Sequence, residues 1–160
     1  MLAALGATIL SASILGFGVS YNSHLSSQAK SLKELLGLLQ TISTRIECFH
    51  SPLHEIYRDF SSAHLDKIGF TDDLKKNGLA FALIRSRSRL SLRASTFNSL
   101  SELASCLGKS YADDQIKTCN RYEEILRTDL ARVEKELPNK MKLSLCLSAA
   151  GALMIAILFL

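Results

Sequence analysis

No residue before Lys30 and none after Lys142 carries a charged side chain, although the chain of 160 residues holds 19 Lys and Arg and 15 Asp and Glu. The leader MLAALGATILSASILGFGVS would, from Leu2 to Ser20, make a helix about 28 Å long at about 1.5 Å per residue. The tail LSLCLSAAGALMIAILFL, Leu143 to Leu160, would make one of about 27 Å on the same rise. A bilayer hydrocarbon core is about 30 Å thick, so both ends are long enough to cross it with slight mismatch. This predicts an all-α, membrane-anchored helical bundle with one transmembrane helix at each end: a first span over 1–22, a polar bundle over 23–138 and a second span over 139–160.

Gly18-Val19-Ser20 has the small-x-small order of a signal-peptidase site, but a signal peptide also needs a basic n-region, and this leader has none. Orientation follows from basic residues beside the spans, which are retained on the cytoplasmic side. Lys30 and Lys33 follow the first span, and Arg132, Lys135, Lys140 and Lys142 precede the second. The reading is a two-pass protein of the cell membrane with its central domain in the cytoplasm. Cys48, Cys106 and Cys119 then face a reducing compartment and Cys146 lies in the second span, so all four are expected as buried small apolar groups rather than a disulfide framework.

In the middle, Leu32, Leu35, Leu39, Ile42, Ile46 and Phe49 step by threes and fours, the spacing of one helical face. A helix over Ser26 to Phe49, continuous with the first span, follows. Leu53, Ile56, Phe60 and Ala63 predict a second face after Ser51-Pro52. A third helix is expected from Asp72 to Leu92, capped by Thr71, with Gly78 as its weak point. Phe97, Leu100, Leu103, Ala104 and Leu107 give a short helix stopped by Gly108. Ser110 is then placed as cap of the longest element, whose face runs Ile116, Cys119, Tyr122, Leu126, Leu130, Val133 and Leu137 until Pro138 kinks or ends it.

The stretch ECFHSPLHEI, Glu47 to Ile56, gathers Cys48, His50 and His54 as though for a metal. Ser51, Pro52 and Leu53 argue for a corner instead: Ser51 as N-cap and Pro52 at the first helical position put His50 and His54 on opposite sides of a helix break. Two histidines four apart share a face only within one helix. No metal or cofactor is expected.

The sequence contains no G-x-S-x-G, no Gly-rich phosphate loop and no H-E-x-x-H, and Asp113-Asp114 fit the first turn of a helix better than a catalytic pair. No enzymatic activity is expected. The concentrated polar feature is RSRSRLSLR, which puts Arg85, Arg89 and Arg93 at i, i+4 and i+8 of the expected third helix with Arg87 close by. It is read as a docking surface for an acidic partner protein, with anionic lipid as the competing ligand. Nucleic acid fits poorly, since the patch has no aromatic residue and the net excess is +4. In the spans, Ala4, Thr8, Ala12, Gly16 and Ser20 recur every fourth residue, as do Ser148, Ala152 and Ala156, the spacing that lets helices approach closely in lipid and points to assembly, including homo-oligomers.

This organisation resembles the stage III sporulation protein AB family. The corner CFHSPL, Cys48 to Leu53, is similar to that family's Tyr-Gly-x-Thr-Pro-Leu pattern. LGKSYADDQ matches its Leu-Gly with Gln seven positions after the Gly, here Leu107, Gly108 and Gln115, and KMKLSLC resembles its Lys-rich run into the last span. Phe49, Tyr111 and Cys146 stand where the family usually has Gly, Asp and Gly. The resemblance implies likeness to the inner-membrane platform protein of type II secretion systems. It further implies a structural place in a channel complex between mother cell and forespore, on the mother-cell side, with a secretion-type ATPase and other membrane components as partners. The alternative is a membrane-tethered helical sensor or ligand-binding domain.

Overall fold

The computed structural model describes residues 2–109 and 111–158, and the side chains of those residues except 2–12, 14–19, 21, 152, 155, 156 and 158. Among the described residues every element is an α-helix: α1 (Leu2–Phe49), α2 (Leu53–Asp59), α3 (Ala63–Lys67), α4 (Phe70–Arg85), α5 (Arg87–Leu90), α6 (Ala94–Cys106) and α7 (Ala112–Leu158). They form two compact units, one of residues 27–132 and one of residues 1–26 with 133–160.

Helix α1 is continuous, and the predicted face is buried from Leu32 through Ile46, with Leu38 joining it. Phe49 ends the series in the helix's last position and is 71% exposed, contrary to its place in the apolar period. The helix stops because His50 turns left-handed at φ 52°. Its N–H then reaches back to Ile46 O at 3.1 Å and the next N–H, of Ser51, to Arg45 O at 3.3 Å, so the left-handed ending satisfies two of the last carbonyls.

The corner after it differs from the expected capping. Helix α2 begins at Leu53, with Pro52 in the cap position, extended at ψ 147° and without a side-chain cap bond. The Pro52 carbonyl accepts Glu55 N–H at 3.0 Å and Ile56 N–H at 3.3 Å, so Ser51 lies one residue too early to reach the free donors. The face expected to run on to Ala63 is also cut, as α2 ends at Asp59 and α3 starts afresh.

Helix α4 starts two residues ahead of the expected Asp72. Gly69 caps it in the left-handed region at φ 76°, and Thr71 is buried in its first turn. Gly78 leaves helical geometry altogether, at φ 81° and ψ 177°, a conformation that a side chain would resist. The expected continuation to Leu92 fails at Ser86, and Ser91, left-handed at φ 55°, closes α5. Helix α4 packs against α2, α3, α5 and α6 and buries Phe70, Leu74, Leu79, Ala82 and Leu83 in the core of the 27–132 unit.

Helix α7 passes through Pro138 and ends at Leu158. A proline removes one N–H and strains one turn, and the intact bonds on both sides carry the helix past it. The expected cap Ser110 lies outside the described residues. Of the four cysteines only Cys119 is buried, and Cys48, Cys106 and Cys146 are exposed, contrary to the expectation of four buried thiols; Cys48 and Cys106 lie off the buried faces of their helices, and Cys146 lies among exposed apolar neighbours in α7. Among the described residues no helix is long and apolar enough to cross a membrane. All but three of the side chains of the first expected span, 1–22, and six of the 22 of the second, 139–160, lie outside that set, and a span at each end rests on the sequence alone.

Candidate functional site: the corner and the clasp

Two short motifs far apart in sequence meet at the corner. Helix α6 ends at Cys106, one residue before the expected Leu107, which is extended in the cap position; Gly108 follows, left-handed at φ 81°, and approaches Leu53 so closely that a Cβ there would lie 3.3 Å from Leu53 Cδ1. Glycine is favoured by the left-handed backbone, and a side chain there would also press on Leu53. The N–H of Gly108 donates to Gln115 Oε1 at 3.2 Å, so a side chain from the first turns of α7 satisfies a donor at the end of α6. That bond explains the spacing of Leu107, Gly108 and Gln115. The same joint explains Leu53 in the Ser51-Pro52-Leu53 corner: it is the apolar plug against which Gly108 is set. A groove of about 510 Å³ remains, lined by Ile46, His50, Ser51, Pro52, Leu53, His54, Gly108, Ala112 and Gln115. Phe49 and Tyr111, each next in sequence to a lining residue, are 71% and 86% exposed.

A second polar cluster lies between α1 and α3. The Glu34 carboxylate accepts the N–H groups of Leu65 at 2.9 Å and His64 at 2.9 Å, and the Ser62 hydroxyl donates to it as well. A helix start has unpaired N–H groups that need an acceptor, and here the acceptor comes from another helix. The His64 ring nitrogen Nε2 lies 3.1 Å from Ser31 Oγ and 3.3 Å from Ser27 Oγ, tying α3 to α1 a second time. Burial pushes the Glu34 pKa upward, but the hydrogen bonds from Ser62, Leu65 and His64 outweigh it and the net value is below the usual carboxylate range. Asp66 is likewise lowered, by hydrogen bonds from Thr71 and Ser61, so the Thr71 hydroxyl serves Asp66 rather than capping α4. A groove of about 830 Å³ beside this clasp is bordered by Lys30, Lys33, Lys67 and His64.

Other bridges hold α7 in place. Ser43 donates to Glu123 at 3.1 Å in a buried contact, and the Thr96 hydroxyl donates to Asp129, which also pairs with Arg132. Arg45 and Asp59 join α1 to α2 at 2.9 Å. Apolar periodicity singles out none of Glu34, Glu123 and Asp129. The one local trace of the clasp is Ser61-Ser62 after Phe60, a pair whose hydroxyls compete with helical bonding.

The four arginines expected on one stripe are dispersed. Arg85 is the last residue of α4 and faces Asp73 at 3.5 Å. Arg87 and Arg89 belong to α5, and Arg93 holds the cap position of α6. Arg87 lies 4.7 Å over the Phe97 ring and Arg89 donates to Ile68 O at 2.6 Å. Ser86 breaks the helix that would have aligned them. In the expected packing stripes, the side chains of Ala4, Thr8, Ala12, Gly16, Ala152 and Ala156 lie outside the described residues. Ser20 is exposed, and Ser148 is buried with its hydroxyl on Ser144 O at 2.8 Å. Among the described residues no three His, Cys, Asp or Glu side chains are grouped to hold a metal ion.

Compared with known families, residues 3–160 match the family model described as stage III sporulation protein AB, which is nearly the whole chain. No curated protein and no solved structure matches it.

Proposed function

Because the chain belongs to the stage III sporulation protein AB family, and so has a role in sporulation, we propose that it is a membrane-anchored scaffold of a secretion-like channel complex. Its helical domain would dock a secretion-type ATPase and neighbouring membrane components from the mother-cell cytoplasm. The observation that carries the anchoring is the end of α7. After Lys142 it has no charge, and Leu143, Leu145, Leu147, Leu153, Met154 and Ile157 are 52–75% exposed. A helix end that turns this many apolar side chains outward needs a bilayer or a partner to cover them. The scaffold reading is supported by the joints just described: Gly108 with Leu53 and Gln115, and Glu34 with α3, fix helix directions.

Membrane sheets washed with alkaline carbonate should retain the full chain and release one that lacks both residues 1–22 and the residues after Lys142. Protease added to sealed cells should leave residues 27–132 uncut. Release of the full chain by carbonate overturns the anchor, and cleavage in the middle of sealed cells reverses the topology and removes the cytoplasmic docking role.

A further inference from the structure

The stretch from Lys75 to Arg93, KKNGLAFALIRSRSRLSLR, holds six cations and no acid. It also carries two large apolar side chains that the 27–132 unit leaves outside, Phe81 at 44% and Ile84 at 69% exposure. With Arg85 they stand at i, i+3 and i+4 in the part of α4 beyond the Gly78 break, which puts all three on one helical face. The acids nearest in sequence are Asp72 and Asp73, and Asp73 faces Arg85 at 3.5 Å.

The next two cations along the chain, Arg87 and Arg89, are exposed and keep their charge, Arg87 with its guanidinium over the Phe97 ring and Arg89 with one donor on Ile68 O. Specific capture of a protein carboxylate uses the planar two-pronged fork of a guanidinium, and Arg85 and Arg89 already have a donor turned to Asp73 and to Ile68 O. A layer of anionic headgroups demands no such geometry. It responds to local positive charge, and exposed Phe and Ile next to basic residues are the side chains that enter the boundary between headgroups and acyl chains. We propose that this face of the 27–132 unit rests on an anionic bilayer surface, with Phe81 and Ile84 inserted at the interface and Arg85, Arg87 and Arg89 drawing the headgroups. The inference goes beyond the scaffold reading and rests on it only for how the chain is brought to the membrane.

The chain has no tryptophan, so Phe81→Trp introduces a single reporter. The full chain carrying it is reconstituted into vesicles of phosphatidylcholine alone, and of phosphatidylcholine with an equal part of phosphatidylglycerol. Expected are emission at shorter wavelength and quenching by nitroxide-labelled lipid in the anionic vesicles only, both reversed by raising the salt concentration. Tyr111→Trp, on the corner, should show neither. Replacing Arg85, Arg87 and Arg89 by Gln should lower the ratio of surface-bound to released face on the order of a hundredfold, at about a factor of five per charge. The salt dependence of the Phe81→Trp chain carries the test should that variant fold poorly. A reporter that remains in water in both vesicles, or is equally shielded in both, overturns the proposal. So does shielding that follows protein density rather than lipid charge, which would mean that a second copy covers the face. If the chain floats with the anionic vesicles and not with the neutral ones, the anchor fails and the interfacial face stands; if it floats with both and the reporter stays in water, the anchor stands and the face fails.

Discussion

The carboxylate of Glu34, in the middle of α1, accepts the backbone N–H of Leu65 at 2.9 Å, so the start of α3 is closed by a residue 31 positions earlier in the chain. The same carboxylate takes His64 N–H and the Ser62 hydroxyl. Removing it leaves part-buried donors with no acceptor. Glu34→Ala should cost about 2 kcal/mol and Glu34→Gln about 1 kcal/mol, measured by denaturant unfolding of the full chain in detergent. The Glu34 pKa is lowered on folding from 4.5. Its contribution is therefore fully present above that value and is lost as pH falls below it through the native-state value. The acid limb of the stability curve should flatten in Glu34→Gln; an unchanged acid limb would sink the capping assignment.

Gly108→Ala combines two penalties, the left-handed backbone at φ 81° and the contact 3.3 Å from Leu53 Cδ1. A loss of about 2 kcal/mol is expected. Adding Leu53→Ala should remove the steric part and leave the backbone part, so the two changes together should cost less than the sum of the singles. Strict additivity in that double-mutant cycle would show that Leu53 and Gly108 do not meet.

At the end of α1 the gain and loss are reversed from ordinary expectation. Ser51 makes no cap bond to α2, and Ser51→Ala should change stability by less than about 0.5 kcal/mol. His50 holds φ 52°, a conformation that glycine adopts freely, so His50→Gly should stabilise by about 0.5 kcal/mol. Thermal unfolding of the two variants beside the parent checks both signs.

Burial raises the Cys119 thiol to about 11, with the Glu123 carboxylate adding to the shift. At neutral pH it is almost wholly protonated, and only the thiolate attacks. A maleimide pulse on the folded chain should label exposed Cys48 and Cys106 and spare Cys119, which should react only after unfolding. Peptide mass spectrometry reads the result, and labelling of Cys119 at the rate of Cys48 would contradict its place in the core.

The long helices were legible because their information is local. Leu32 through Ile46 repeat with the turn of a helix, and a periodic apolar face of that length finds a core whatever its neighbours are. Gly108 was legible in part: its left-handed turn favours glycine, although α6 itself stops earlier, with Leu107 extended as its cap. The uncharged ends, and with them the membrane reading, come from sequence alone. Tertiary structure decided where the middle breaks. Leu53, Ile56, Phe60 and Ala63 keep helical spacing, yet the chain ends one helix at Asp59 and starts another because Glu34 on a different helix supplies the acceptor that makes a new start stable. Arg85 to Arg93 could have formed one stripe, but Ser86 breaks the helix and Ile68 O, Phe97 and Asp73 each engage a different arginine. Spacing along a chain predicts which residues share a face; it carries no record of a hydrogen-bond partner thirty residues away, such as Glu34 at the start of α3.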